Sequence, residues 1–236
     1  MGFLKRLLRN PQSEPTSDYA SAGSFESLSA DQLRAHLSVA WYGAYELTDA
    51  IRPDYRLQVV PRQGYRHDRY LDEVTGAEIP VLMAAATKSI LLDLFLEMLE
   101  PLGPVVDVIL ESSHLGGEPR ADLHRGQIDL PVLRSILLDH EDLLLNDGCT
   151  GIAVVAPERG QEVQLDEHKM LIAYGVPLAD FEKILIGSDV YPDPCIRFVT
   201  EAEHIHSSHR RFVDDLERLR TRLGMDHDHE GDSVGW

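Results

Sequence analysis

The chain has 236 residues, 43% of them hydrophobic, and 40 acidic against 22 basic side chains give a formal charge of −18. That length and apolar content suffice for a sizeable core, and the negative field excludes general nucleic-acid binding, because a phosphate backbone would be repelled. Only Cys149 and Cys195 are present, without a C-x-x-C spacing, which excludes a disulfide framework and fits a reducing, cytoplasmic setting.

At the start of the chain Phe3, Leu4, Leu7 and Leu8 share one helical face, flanked by Lys5, Arg6 and Arg9. The pattern is a cationic amphipathic peptide for docking on a protein partner, with at most weak peripheral membrane contact through residues 1–9. It lacks the continuous apolar stretch of a secretory signal, and Arg6 stands where a myristoylation motif needs Ser or Thr. Residues 11–27 are rich in Ser, Pro and Gly and read as a flexible linker. The expected organisation is a peptide and linker over 1–27, one α+β domain over 28–224, and a disordered acidic His-containing tail over 225–236.

Ser29 and Gln32 have capping-box spacing, and Leu33, Leu37, Ala40, Ala44, Leu47 and Ile51 follow in alternating steps of four and three. This predicts a long amphipathic helix near the N-terminus. The next segment concentrates Arg52, Arg56, Arg62, Arg66 and Arg69 among Tyr55, Tyr65, His67 and Tyr70. Guanidinium groups pair bidentately with oxyanions and stack on rings, so Arg62, Arg66, Arg69 and Tyr65 are candidate anion-binding residues. The plainer alternative is pairing with the chain's own surplus carboxylates.

From residue 87 onward the pattern alternates between helix and strand: 87–100 then 105–110, 130–145 then 151–156, 178–186 then 195–199. Such units imply a sheet with crossover helices. Residues 151–156 and 164–174 flank a Pro157–Gly160 turn and form a hairpin, so at least one pair is antiparallel. The fold class expected is α+β, with a mixed sheet flanked by two long amphipathic helices.

Strand 105–110 runs into a polar loop over 111–117. Loops after strand ends favour ligand sites, which makes Glu111 and His114 candidate acid–base residues and Ser112 and Ser113 candidate hydroxyl donors. No G-x-S-x-G, phosphate-binding glycine loop or H-E-x-x-H accompanies them.

In the last segment Ala202, Ile205, Phe212, Leu216, Leu219 and Leu223 recur at helical spacing, with His209 in the missing slot, so a helix is expected over 200–224. Leu216, Leu219 and Leu223 would form a seam for a partner or a second copy. On that helix Glu203, His206 and His209 lie one turn apart and are the candidate metal ligands. His204-x-His206-x-x-His209 has the spacing of the H-x-H-x-D-H motif of metallo-β-lactamase-like hydrolases, but Ser208 replaces the Asp and too little chain follows for further ligands. A cupin pattern is excluded because the segment reads as helix. His227 and His229 in the tail would bind zinc or nickel only weakly.

The sequence therefore favours a non-catalytic interaction or regulatory protein, binding a protein partner or itself, without a cofactor. The alternatives are a small hydrolase or transferase using Glu111, His114 and the arginine segment on an anionic substrate, and a divalent-metal-binding protein.

Overall fold

The frame of the molecule is a seven-stranded sheet, in a computed structural model that describes residues 25–71, 76–114 and 121–225. Phe3, Leu4, Leu7 and Leu8, the tail beyond residue 225, and residues 115–117 of the expected ligand loop lie outside the described residues.

The first helix, α1 (Ala30–Leu37), opens on the expected capping box: Gln32 N donates to Ser29 Oγ (3.3 Å) and Ser29 N donates to Gln32 Oε1 (2.9 Å). It stops after Leu37 because Trp41, Tyr42 and Tyr45 suit extended backbone, and Gly43 takes a φ of +65° in the turn between β1 (Trp41–Tyr42) and β2 (Tyr45–Glu46). β3 (Ile51–Pro53) follows and is buried along its length.

The main sheet contains β4 (Gly64–Leu71), β5 (Glu78–Ala85), β6 (Val105–Ser112), β7 (Ala121–Asp129), β8 (Thr150–Ala156), β9 (Gln161–Leu165) and β10 (Leu171–Tyr174). Their order is β4-β5-β10-β9-β8-β6-β7, and every neighbouring pair is antiparallel. α2 (Lys88–Met98) carries the chain across from β5 to β6, while α3 (Leu130–Leu138) and α4 (Glu141–Asn146) return it from β7 to β8. The meander β8–β9–β10 then refills the gap beside β5. α5 (Ala179–Gly187) and α6 (Arg211–Arg222) complete the helices, and β11 (His204–His206) pairs with β3 in a separate two-stranded sheet.

Alternation along the strands sorts the core. Leu82, Val108, Leu110, Ile152, Val154, Val163 and Leu171 join one cluster with Phe95, Leu133, Phe181, Phe212, Leu216 and Leu219 from the helices. A smaller cluster of Val81, Met170, Ile172, Ile196 and Phe198 forms under the segment that leads to β11. The arrangement is α+β, with an apolar helical layer against a sheet. No helix among the described residues is long and apolar enough to cross a membrane.

Two expectations about the fold require correction. The sheet is antiparallel rather than mixed: the helix-to-strand rhythm is real at β6 and β8, but β5, β7, β9 and β10 each follow the preceding strand directly and pair with it, and residues 195–198 form no strand. The helices near the two ends are also shorter than expected. α1 spans only eight residues, and the C-terminal helix begins at Arg211, because His204–His206 are drawn into backbone pairing with β3. Leu216, Leu219 and Leu223 are buried in this chain's own core and so form no exposed seam.

Candidate metal centre

Strand geometry changes what the histidine motif can do. In a helix His204 and His206 diverge, whereas in a strand residues two apart project from the same face. β11 holds them there by pairing His204 with Pro53 and His206 with Ile51. The close packing around β11 requires a glycine at 148: Ser207 N donates to Ala50 O, Gly148 N donates to Ser207 O (both 2.8 Å), and a Cβ on Gly148 would stand 2.3 Å from Ala50 O.

The third histidine comes from the turn between β9 and β10. Asp166 closes this turn on itself, accepting the amides of His168 (3.0 Å) and Met170 (2.8 Å) through Oδ1, while its Oδ2 accepts His168 Nδ1–H (2.8 Å). Lys169 adopts a left-handed φ of +63°, an uncommon conformation for a residue with a side chain, fixed here by its amide on Asp166 O (3.0 Å). The turn thus presents His168 toward β11. The ring centroids of His168, His204 and His206 lie 4.7–5.1 Å apart, and one ring nitrogen of each lies within 4.8 Å of the other two.

The hydrogen bonds assign the tautomers. His204 Nδ1 faces Ala202 O (2.8 Å) and His206 Nδ1 faces Gly148 O (2.6 Å); a carbonyl only accepts, so each Nδ1 carries the proton, as does His168 Nδ1 against Asp166. In the neutral rings all three lone pairs are then on Nε2. This is the arrangement metal-ligating histidines take, with the outer nitrogen donated to a carboxylate or carbonyl. Tetrahedral zinc, with Zn–N of about 2.0–2.1 Å, needs nitrogens about 3.4 Å apart, a modest contraction of the cluster.

Electrostatics favours the neutral form of His204. Burial lowers the His204 pKa, and the charges of His168 and His206 lower it further against the opposing Ala202 carbonyl. Burial would raise the Asp166 pKa, but His168 and the Met170 amide outweigh it and keep the carboxylate ionised. Burial pushes the Lys169 ammonium down to about 8 against the opposing charges of Asp166, Asp147, Glu167 and Cys149, and its Nζ donates to Thr150 O (2.7 Å). A cavity of about 20 Å³, the room of one water, is lined by His168, Lys169, Tyr45, Arg62, Arg197 and Phe198.

The other residues singled out in the sequence are dispersed. Glu203 and His209 are outside the histidine cluster, and the His209 ring packs on Phe212 instead. Arg62 pairs with Asp193 (2.6 Å), Arg66 with Glu201 (2.6 Å) and Ile196 O (2.7 Å), and Arg69 with Glu78 (2.8 Å). Tyr65 is in the core. Glu111 lies in β6 within electrostatic range of Glu162, whereas His114, past the strand end, places Nε2 2.7 Å from Asp147 Oδ2. Asp147 Oδ2 also accepts Thr150 Oγ1–H (2.6 Å), and donor atoms of His114, Asp147 and Cys149 lie within 4.8 Å of one another.

His168 drew no attention in the sequence because 164–174 read as one strand. The available signal was Asp166-x-His168 between two apolar runs, a carboxylate placed to bond a histidine in a turn. No family model, curated protein or solved structure matches this chain.

Proposed function

We propose that the protein binds a divalent transition metal, zinc by its donor set, through Nε2 of His168, His204 and His206. The observation that carries this reading is the shared orientation: three Nδ1–H groups are given to Asp166, Ala202 and Gly148, and a ring nitrogen of each histidine lies within 4.8 Å of the other two. Packed imidazoles serving only the core would have no reason to share that orientation. Three protein ligands leave a fourth tetrahedral position for solvent or a small ligand, the arrangement found in zinc sites with exchangeable chemistry rather than in closed structural ones. Asp166 acts as the outer-shell carboxylate that holds the His168 ring and raises its basicity.

The partner-docking reading has less support. Its peptide lies outside the described residues, and Leu216, Leu219 and Leu223 are buried. The anionic-substrate reading needs free guanidinium groups, and Arg62, Arg66 and Arg69 each have an acidic partner.

The test is metal content by mass spectrometry after purification without a His tag and dialysis against a weak chelator. Wild-type protein should retain zinc, and His204→Ala and His206→Ala should each lose one equivalent while remaining folded. The tail histidines are present in every sample, so their contribution cancels. Equal metal content in wild type and both variants would reject the site.

A further inference from the structure

We propose a second divalent-metal site, with a thiolate donor, formed by His114, Asp147 and Cys149. It uses donors distinct from the three-histidine centre and stands or falls independently. The two are neighbours through one short turn: Asp147, Gly148, Cys149 and Thr150 are consecutive, and Gly148 O accepts the His206 Nδ1–H.

Three observations carry the proposal. The first is that donor atoms of the three residues lie within 4.8 Å of one another, His114 from beyond the end of β6, Asp147 from the end of α4 and Cys149 from the turn that joins α4 to β8. The second is that Asp147 is fully buried and one of its carboxylate oxygens, Oδ1, has no hydrogen-bond partner, while Oδ2 takes both His114 Nε2 and Thr150 Oγ1. An unpartnered buried carboxylate oxygen is costly, and this one sits at the carbonyl end of α4, where the backbone dipole favours a cation. Lys169 is in electrostatic range of both Asp147 and Cys149, but its Nζ is donated to Thr150 O. The third is the shape of the group. In a thiol–imidazole–carboxylate relay the ring separates acid from nucleophile, so the acid and sulfur lie far apart. Here they are close, and a triangle of donors suits a central ion.

Metal binding is balanced by proton release. The Cys149 thiol proton leaves, the proton on His114 Nε2 moves to Nδ1 of the neutral ring, and the ion takes the freed Nε2 lone pair, a carboxylate oxygen and the thiolate. With Asp147 Oδ1 as the carboxylate donor, that oxygen and the His114 nitrogen would stand about 3.3 Å apart around tetrahedral zinc. A mixed S, N and O set with one thiolate fits zinc or cobalt(II) rather than magnesium or calcium.

The experiment is a cobalt(II) titration of chelator-treated full-length protein, followed by near-ultraviolet absorption and metal stoichiometry. A thiolate-to-cobalt charge-transfer band should appear in wild type, in Cys195→Ser and in His206→Ala, and should be lost in Cys149→Ser and in His114→Ala. Bound cobalt should fall from two equivalents to one in Cys149→Ser. Circular dichroism establishes that each variant is folded, and Cys149→Ser changes only one atom. Absence of the band from folded wild type, or its persistence in Cys149→Ser, overturns the proposal. Failure of the three-histidine centre gives a different result: the band survives, and His206→Ala leaves the stoichiometry unchanged.

Discussion

The arginines of residues 52–69 and the histidines at 168, 204 and 206 are both clusters of nitrogen donors, yet their hydrogen bonds run in opposite senses. Arg52 is almost fully buried and turns its guanidinium onto Leu37 O, Thr48 O, Ile51 O and Asp49, so its capacity is consumed within the fold. Each of the three histidines anchors its Nδ1 on an acceptor, and a ring nitrogen of each lies within 4.8 Å of the other two. What separates a structural cluster from a ligand site is therefore the destination of the bonds, not the residue types gathered.

The largest effect expected is a clean exchange between these two regions. Arg52→Met should leave the buried carbonyls of Thr48 and Ile51 and the part-buried one of Leu37 without their donor and destabilise the fold by about 3–5 kcal/mol, with one equivalent of zinc still bound per folded site. His204→Ala should do the reverse, lowering zinc affinity by more than about 100-fold with a small change in thermal midpoint. Thermal unfolding and a competitive chelator titration on the same samples check both.

The difference also explains what could be read from the chain. α2, β6 and the hairpin at Pro157–Gly160 are local, carried by periodicity, β-branched runs and a turn glycine, and they are found close to where those signals place them. The histidine segment misleads because Ala202 and Ile205 continue the spacing of Phe212, Leu216 and Leu219 by coincidence. The strand there is created by β3, far away in sequence, and no window around His204 contains that partner. His114 was noticed but not its partner Asp147, because antiparallel pairing of Ser112 with Thr150 brings their loops together. The arginines illustrate the converse: an Arg/Tyr-rich segment looks like an anion site until the acids of distant segments, Asp193 and Glu201, are seen against it.

Gly148→Ala tests the backbone that supports the centre. Its Cβ would collide with Ala50 O and Ser207 O, forcing apart β11 and the 147–150 turn. A loss of about 2–4 kcal/mol is expected together with weakened zinc binding, since the His206 acceptor moves with the turn. Asp166→Asn is a smaller perturbation that keeps the turn but removes the carboxylate charge from His168. It should reduce zinc affinity by about 10–100-fold, measured by the same chelator competition, with stability little changed.

A buried acid outside both clusters provides a pH-dependent contrast. Glu162 is buried in β9 with Oε2 unpartnered, and burial, reinforced by Glu111 against the opposing Gln164 bond, raises its pKa to about 8. The folded chain then holds this proton more tightly than the unfolded one. Its contribution is complete below the ordinary carboxyl range and is lost as pH rises through about 8. Glu162→Gln should therefore match wild type near about pH 5 and exceed it near about pH 9, by on the order of 2–4 kcal/mol in denaturant titrations.

The most direct test of the central claim is anomalous diffraction at the zinc absorption edge from crystals of the untagged, zinc-loaded protein. The account predicts a peak about 2.0–2.1 Å from Nε2 of His168, His204 and His206, with each Nδ1 still on Asp166, Ala202 and Gly148. Zinc-loaded crystals with no peak among these three rings, or rings turned so that Nδ1 faces inward, would contradict it.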